Sequence, residues 1–269
     1  MSAIEVVPTS RKEDSLPNVL IFGETGAGKS SLINMIAGKQ IAGISNSAMG
    51  YTFGSIDHEV AIDGQTYRLW DTSGLNEGEH GTVPGDQALK NLKDLVHRLK
   101  DEGVSLLIYC IRGTRFRNIL KENYDVFVGM ICQDQVPVVV VITGLENEVP
   151  MEKWWIENAK EFEKQKMKFV GHACVTTTKG KLSKISGKPI FEEEYRESEK
   201  VVRELVQCHY AKTPWLMNEK EWLIETSLRL KRYYGSDDGR DDEGDRRGWR
   251  EIAVWIVSVI KGWCLLFRS

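Results

Sequence analysis

Residues 23–31, "GETGAGKSS", carry the spacing G-x-x-x-x-G-K-[ST] between Gly23 and Ser30. Each residue type in that run has a task on a polyphosphate. Gly23, Gly26 and Gly28 open backbone angles closed to other residues, so the N–H groups of Glu24, Thr25, Ala27 and their neighbours can curl around phosphate oxygens. A helix starting near Lys29 and running through Ser30 and Ser31 would aim its unpaired N–H groups and its positive end at the same anion. Lys29 has the reach for β- and γ-phosphates, and the Ser30 hydroxyl is placed to ligate magnesium. Taken alone, the run could be a plain glycine turn. Its flanks, "VLIF" before and "SSLINMIAG" after, supply the strand and helix that a phosphate loop needs.

A second signal lies in "RLWDTSGL", which puts Asp71 directly after a strand and Gly74 three residues later. In a triphosphate site this D-x-x-G element offers a carboxylate for magnesium and a glycine N–H for the γ-phosphate. Between the two signals, "NSAMGYTFGS" should supply one hydroxyl that ligates magnesium only while the γ-phosphate is present. Thr52, just before the second strand, is the choice; Ser45, Ser47 and Ser55 are rivals.

These residues need a frame. Apolar, β-branched runs alternate with helical patterns, which predicts a mostly parallel sheet with crossover helices. The strands are "NVLIF", "GSIDHEVAI", "TYRLWD", "VSLLIYCI", "VPVVVVIT" and "KFVGHACVT". The Asp63-Gly64 pair predicts one antiparallel hairpin within that sheet. Helices are expected in "SSLINMIAG", "DQALKNLKDLVHRLKDEG", "NILKENYDVFVGMIC", "EKWWIENAKEFEKQKM" and "EEEYRESEKVVRELVQCHY". Trp154 and Trp155 read as packing residues of their helix. The expected organisation is a polar leader over 1–17, an α/β domain over 18–212, a helical extension over 213–234, a charged linker over 235–249 and an apolar tail helix over 250–269.

The chain has 269 residues, 41% of them hydrophobic, enough for one α/β core with an appendage. A net charge of −3 and the lack of a basic stripe give no support to a nucleic-acid partner. Five scattered cysteines without metal-ligand spacing suggest a reducing, cytoplasmic compartment.

With "GETGAGKSSLIN", "GYTFGSI" and "LWDTSGLNEG" together, the chain resembles the septin-like branch of P-loop GTPases, which holds septins, chloroplast import receptors and immunity-associated nucleotide-binding proteins. "LLIYCIRGTRF" and "VPVVVVITGLEN" resemble a fungal group of immunity-associated-like G domains. The resemblance runs from about Asn18 to Tyr210. It implies a three-layer G-domain fold, GTP or GDP with Mg2+ as ligands, and homo-oligomers formed through the nucleotide face.

The chain departs from that family in two places. The guanine-reading [NT]-K-x-D motif is here Thr143-Gly144-Leu145-Glu146, which keeps a carboxylate in position and lacks the lysine. A carboxylate can still accept from guanine N1 and N2, whereas adenine offers no matching donor pair. In "HACVTTTKGK" either Thr177 or Thr178 matches the base-backing loop by position. After D-x-x-G stands Leu75, which cannot orient a water as the glutamine of many GTPases does. Glu77, Glu79 and His80 lie nearby in sequence. By resemblance, a partner subunit could complete the site with an arginine from "CIRGTRFR", with Arg115 the nearest match and Arg112 the rival.

The segment 252–267 is apolar apart from four positions and as a helix would be about 24 Å long, short of a typical ~30 Å hydrocarbon core. Its tryptophans suit a headgroup boundary, so attachment to an intracellular membrane surface and docking on protein are equally open. The expectation is a GTP-binding protein that hydrolyses slowly and controls its own assembly through the nucleotide. A nucleotide-bound scaffold without useful hydrolysis and an ATP-binding P-loop protein are the alternatives.

Overall fold

The computed structural model describes residues 16–43, 56–72 and 101–218, together with Glu221, Trp222, Glu225 and Leu228. Residues 1–15 of the leader, Thr52, Gly74, Leu75, the 235–249 linker and the 250–269 tail lie outside the described residues. Among the described residues, no helix is long and apolar enough to cross a membrane.

Six strands form one sheet: β1 (Asn18–Phe22), β2 (Ile56–Ile62), β3 (Gln65–Asp71), β4 (Leu106–Arg112), β5 (Val138–Thr143) and β6 (Gly171–Cys174). Their order is β2-β3-β1-β4-β5-β6, and only β2 runs antiparallel to its neighbour. The β2–β3 turn is made by Asp63 (φ 45°) and Gly64 (φ 88°), both left-handed, as a two-residue hairpin with the right twist requires.

Helices cover both faces of the sheet, so the central strands read as unbroken apolar runs. On one face, Val19, Ile21, Ile108, Val139 and Val141 pack with α1 (Lys29–Ala37) and α4 (Glu192–His209). On the other, Leu20, Phe22, Tyr109, Val140 and Ile142 meet Phe127, Ile131 and Phe162. Phe162 belongs to α3 (Lys153–Lys164), where Trp154 and Trp155 pack around it as the sequence suggests.

Two elements differ from their sequence patterns. The run expected as one helix over 118–132 is α2 (Asn118–Tyr124) followed by a π-helix (Asp125–Ile131). The wider turn lets Val126, Phe127, Val128, Met130 and Ile131 all be buried, more than one stripe of an α-helix of that length can offer. The second is the extension, which begins as part of the main core. Val104 and Trp215 exchange backbone hydrogen bonds, and buried Trp222 donates from its indole N–H to the Ile131 carbonyl at 2.8 Å.

A candidate nucleotide site at the strand ends

The loop after β1 is held from below before any ligand is considered. Gly23 has φ 145°, and a Cβ there would sit 1.9 Å from the Cys110 carbonyl oxygen, so no larger residue fits between β1 and β4. The Cys110 thiol donates to the Ala27 carbonyl at 3.1 Å. Burial pushes that thiol up to about 12, which keeps it protonated and able to donate; nearby Lys29 lowers it and Asp71 raises it by smaller amounts.

Gly28 caps α1 in the left-handed region without a side-chain hydrogen bond to the first turn. Lys29 is buried, and its ammonium donates to the carbonyls of Gly23 and Glu24, each at 2.9 Å. The lysine therefore lies folded over the loop it serves. Ser30 donates to Asp71 Oδ2 at 2.8 Å, which joins the two signals read separately from the sequence. Asp71 is buried at the end of β3, and the next residue, Thr72, donates through both its hydroxyl and its N–H to the Ile21 carbonyl. A hydroxyl beside a buried carboxylate is an all-oxygen donor pair, which fits a small hard cation such as magnesium.

The opposite end is built on β5. The Thr143 hydroxyl lies 2.6 Å from the Ala27 carbonyl and 3.2 Å from that of Ile111, so the first residue of "TGLE" is fastened directly to the phosphate loop. Glu146, three residues on, lies 3.3 Å from the Thr176 hydroxyl, which also has the Thr178 carbonyl as an acceptor at 3.1 Å. Thr176 is fully buried, with its N–H held by Ser198 of α4, so the carboxylate is oriented from behind. Thr177 lies against the loop: its Oγ1 would be 3.4 Å from a Cβ on Gly28. Thr25 and Gly26 are exposed on the rim, and Ser31 occupies the first turn of α1.

Sequence reasoning missed three residues here. Thr176 lies against Glu146, and the only sign was three threonines in a row. Cys110 looked like one of several scattered cysteines. Arg117 forms an ion pair with Glu24 of the loop, whereas Arg115, two residues earlier, is exposed and makes no ion pair among the described residues. The "RGTRFR" run contained that arginine, and spacing alone did not single it out.

Residues 18–144 match the family model of the 50S ribosome-binding GTPases. The six-stranded sheet and its helices match the P-loop GTPase fold. The domain is similar to GTPase Der of Thermosipho melanesiensis, at 28% identity over 133 residues, covering 49% of this chain and 28% of Der. It is also similar to the mitochondrial tRNA modification GTPase mss1 of Schizosaccharomyces pombe, at 45% identity over 106 residues, covering 39% of this chain and 21% of mss1. The chain thus spans well under half the length of these relatives. Among solved structures, a point variant of Aquifex aeolicus Era bound to GDP and AlF4− shares the fold of the GTPase domain, with a TM-score of 0.51 and 18% identity over 80% of this chain and 68% of Era.

Proposed function

We propose that the protein is a guanine-nucleotide switch that binds GTP with magnesium and slowly hydrolyses it to GDP and phosphate. In this reading the nucleotide controls association with a second copy of the chain. The observation that supports it is the Thr143–Ala27 hydrogen bond, which fastens the first residue of "TGLE" to the loop of Gly23 to Ser30. Glu146 accepts from the guanine ring N–H and amino group, and Thr176 keeps it aimed. Lys29 leaves its carbonyl partners to meet the β- and γ-phosphate oxygens. Ser30 and Asp71 hold the magnesium, which neutralises phosphate charge when bound.

Thr52 and Gly74 act as the γ-phosphate sensors in this reading, supported by their sequence positions. "GYTFGSI" and "LWDTSGLNEG" support a septin-like, immunity-associated type of switch, and the arginines of "RGTRFR" support an assembly face beside the nucleotide. Arg115 is the candidate to complete a partner's site. Leu75 favours a second reading, a nucleotide-bound scaffold, because it cannot orient a water.

The test is competition of GDP, GTP, ADP and ATP against a fluorescent guanine nucleotide with magnesium, using Lys29→Ala as the control. A guanine preference above about tenfold, or roughly 1.4 kcal/mol, that depends on Lys29 supports the reading; equal affinity for adenine nucleotides sinks it. Single-turnover GTP cleavage on dilution then separates the two readings. A site completed in trans loses rate when diluted, and a scaffold has no rate to lose.

A further inference from the structure

The missing lysine of "TGLE" leaves Gly144 with no side chain, yet the space beside it is filled. A Cβ built on Gly144 would lie 3.4 Å from Arg112 Cγ, 3.4 Å from its Nε and 3.8 Å from its Cζ. The side chain of Arg112, at the end of β4, therefore runs along the face where a side chain of residue 144 would begin. The strand register produces this: Arg112 pairs with Thr143, so the two strands end side by side with the arginine next to the glycine. Gly144 has φ 77°, a conformation that disfavours a side chain of its own.

Resting on the guanine-nucleotide reading above, we propose that Arg112 supplies from β4 the base-packing cation that position 144 lacks. Arg112 is exposed and makes no ion pair among the described residues, so no carboxylate there has to be given up. A guanidinium is planar, delocalised and weakly hydrated, and it stacks on aromatic faces more readily than an ammonium does. Stacking does not distinguish guanine from adenine, so Arg112 adds affinity for the base while selectivity stays with Glu146. This role in the same chain separates Arg112 from Arg115, the candidate for a partner's site, and from Arg117, which is paired with Glu24.

The experiment compares wild type, Arg112→Ala, Arg112→Lys and Lys29→Ala as full-length proteins, with magnesium. Displacement of a fluorescent guanine nucleotide is read for GDP, ADP and inorganic tripolyphosphate. Arg112→Ala is expected to weaken GDP about tenfold and to leave tripolyphosphate within about twofold. Arg112→Lys should recover part of the loss, and Lys29→Ala should weaken both ligands. Unchanged GDP affinity in Arg112→Ala, or equal loss of GDP and tripolyphosphate, overturns the assignment. A wild type that binds tripolyphosphate but neither GDP nor ADP overturns the guanine reading and the assignment with it, whereas equal affinity for GDP and ADP overturns the guanine reading alone. If wild type prefers guanine and Arg112→Ala fails to weaken GDP, the guanine reading stands and only the assignment falls.

Discussion

The Ser30 hydroxyl in the first turn of α1 and the Asp71 carboxylate at the end of β3, 41 residues apart, meet at 2.8 Å. This contact places both proposed magnesium donors on one side of the phosphate loop. Ser30→Ala is therefore expected to weaken GDP binding at least about tenfold in magnesium and to change it little in EDTA. The same loss with and without metal would mean that Ser30 supports the loop and not the cation.

Thr176→Val removes the hydroxyl behind Glu146 and keeps the side chain's shape. The carboxylate then loses its orienting donor, a hydrogen bond to a charged group that is typically worth about 1.5–3 kcal/mol. The expected outcome is a fall of about tenfold in guanine-over-adenine preference with tripolyphosphate affinity unchanged. Retained preference would show that Glu146 needs no support.

Gly23→Ala forces a methyl group to within 1.9 Å of the Cys110 carbonyl oxygen. Overpacking of this kind costs about 1–3 kcal/mol or more, and here the obstacle is backbone. A clear drop in melting temperature without nucleotide is expected, and an unchanged melt would show that β1 and β4 can part there.

Asn18 joins three elements: its amide donates to the carbonyls of Glu102 and Gly103, and its oxygen accepts from the Trp70 indole N–H at 2.9 Å. Asn18→Ala leaves a buried indole N–H without this acceptor, at a cost of about 1–3 kcal/mol. Urea denaturation should show a lower midpoint with the slope unchanged.

Burial raises the Cys110 and Cys174 thiols from 9.0 to about 12 and pushes Cys132 up further. They remain protonated in the folded chain where the unfolded chain would ionise them. Their contribution to stability is therefore full below about pH 9 and is lost as the pH rises towards about 12. Urea midpoints measured between pH 7.5 and 10 should fall, and less steeply in Cys110→Ala. In a Cys264→Ser background, exposed Cys208 should react with a thiol reagent in the native protein and the other three only on unfolding. Fast native reaction at Cys110 would contradict its buried hydrogen bond.

The sheet was legible because its signals are local. "VVVVIT" reads as a strand covered on both faces, and Asp63-Gly64 marks a hairpin whatever surrounds it. The phosphate loop was legible for the same reason, since its chemistry lies within nine consecutive residues. Contacts between distant segments were not. Nothing in "CIRGTRFR" says that Arg112 turns to Gly144 while Arg117 turns to Glu24, because those directions depend on the β4–β5 register and on where α2 begins. The π-helix escaped for a related reason: its residues suit an α-helix equally well, and the core they fill decides the winding.

The Thr143 contact with Ala27 has one further consequence. It sets the span between the two ends of the site before a ligand arrives, as the marks on a ruler are set before anything is measured. A nucleotide of the right length finds those two ends already ordered and loses little entropy in arranging them. Truncating the ligand should then cost affinity in steps, one for each end released. Replacing Thr143 by valine should blur those steps by letting the two ends drift apart.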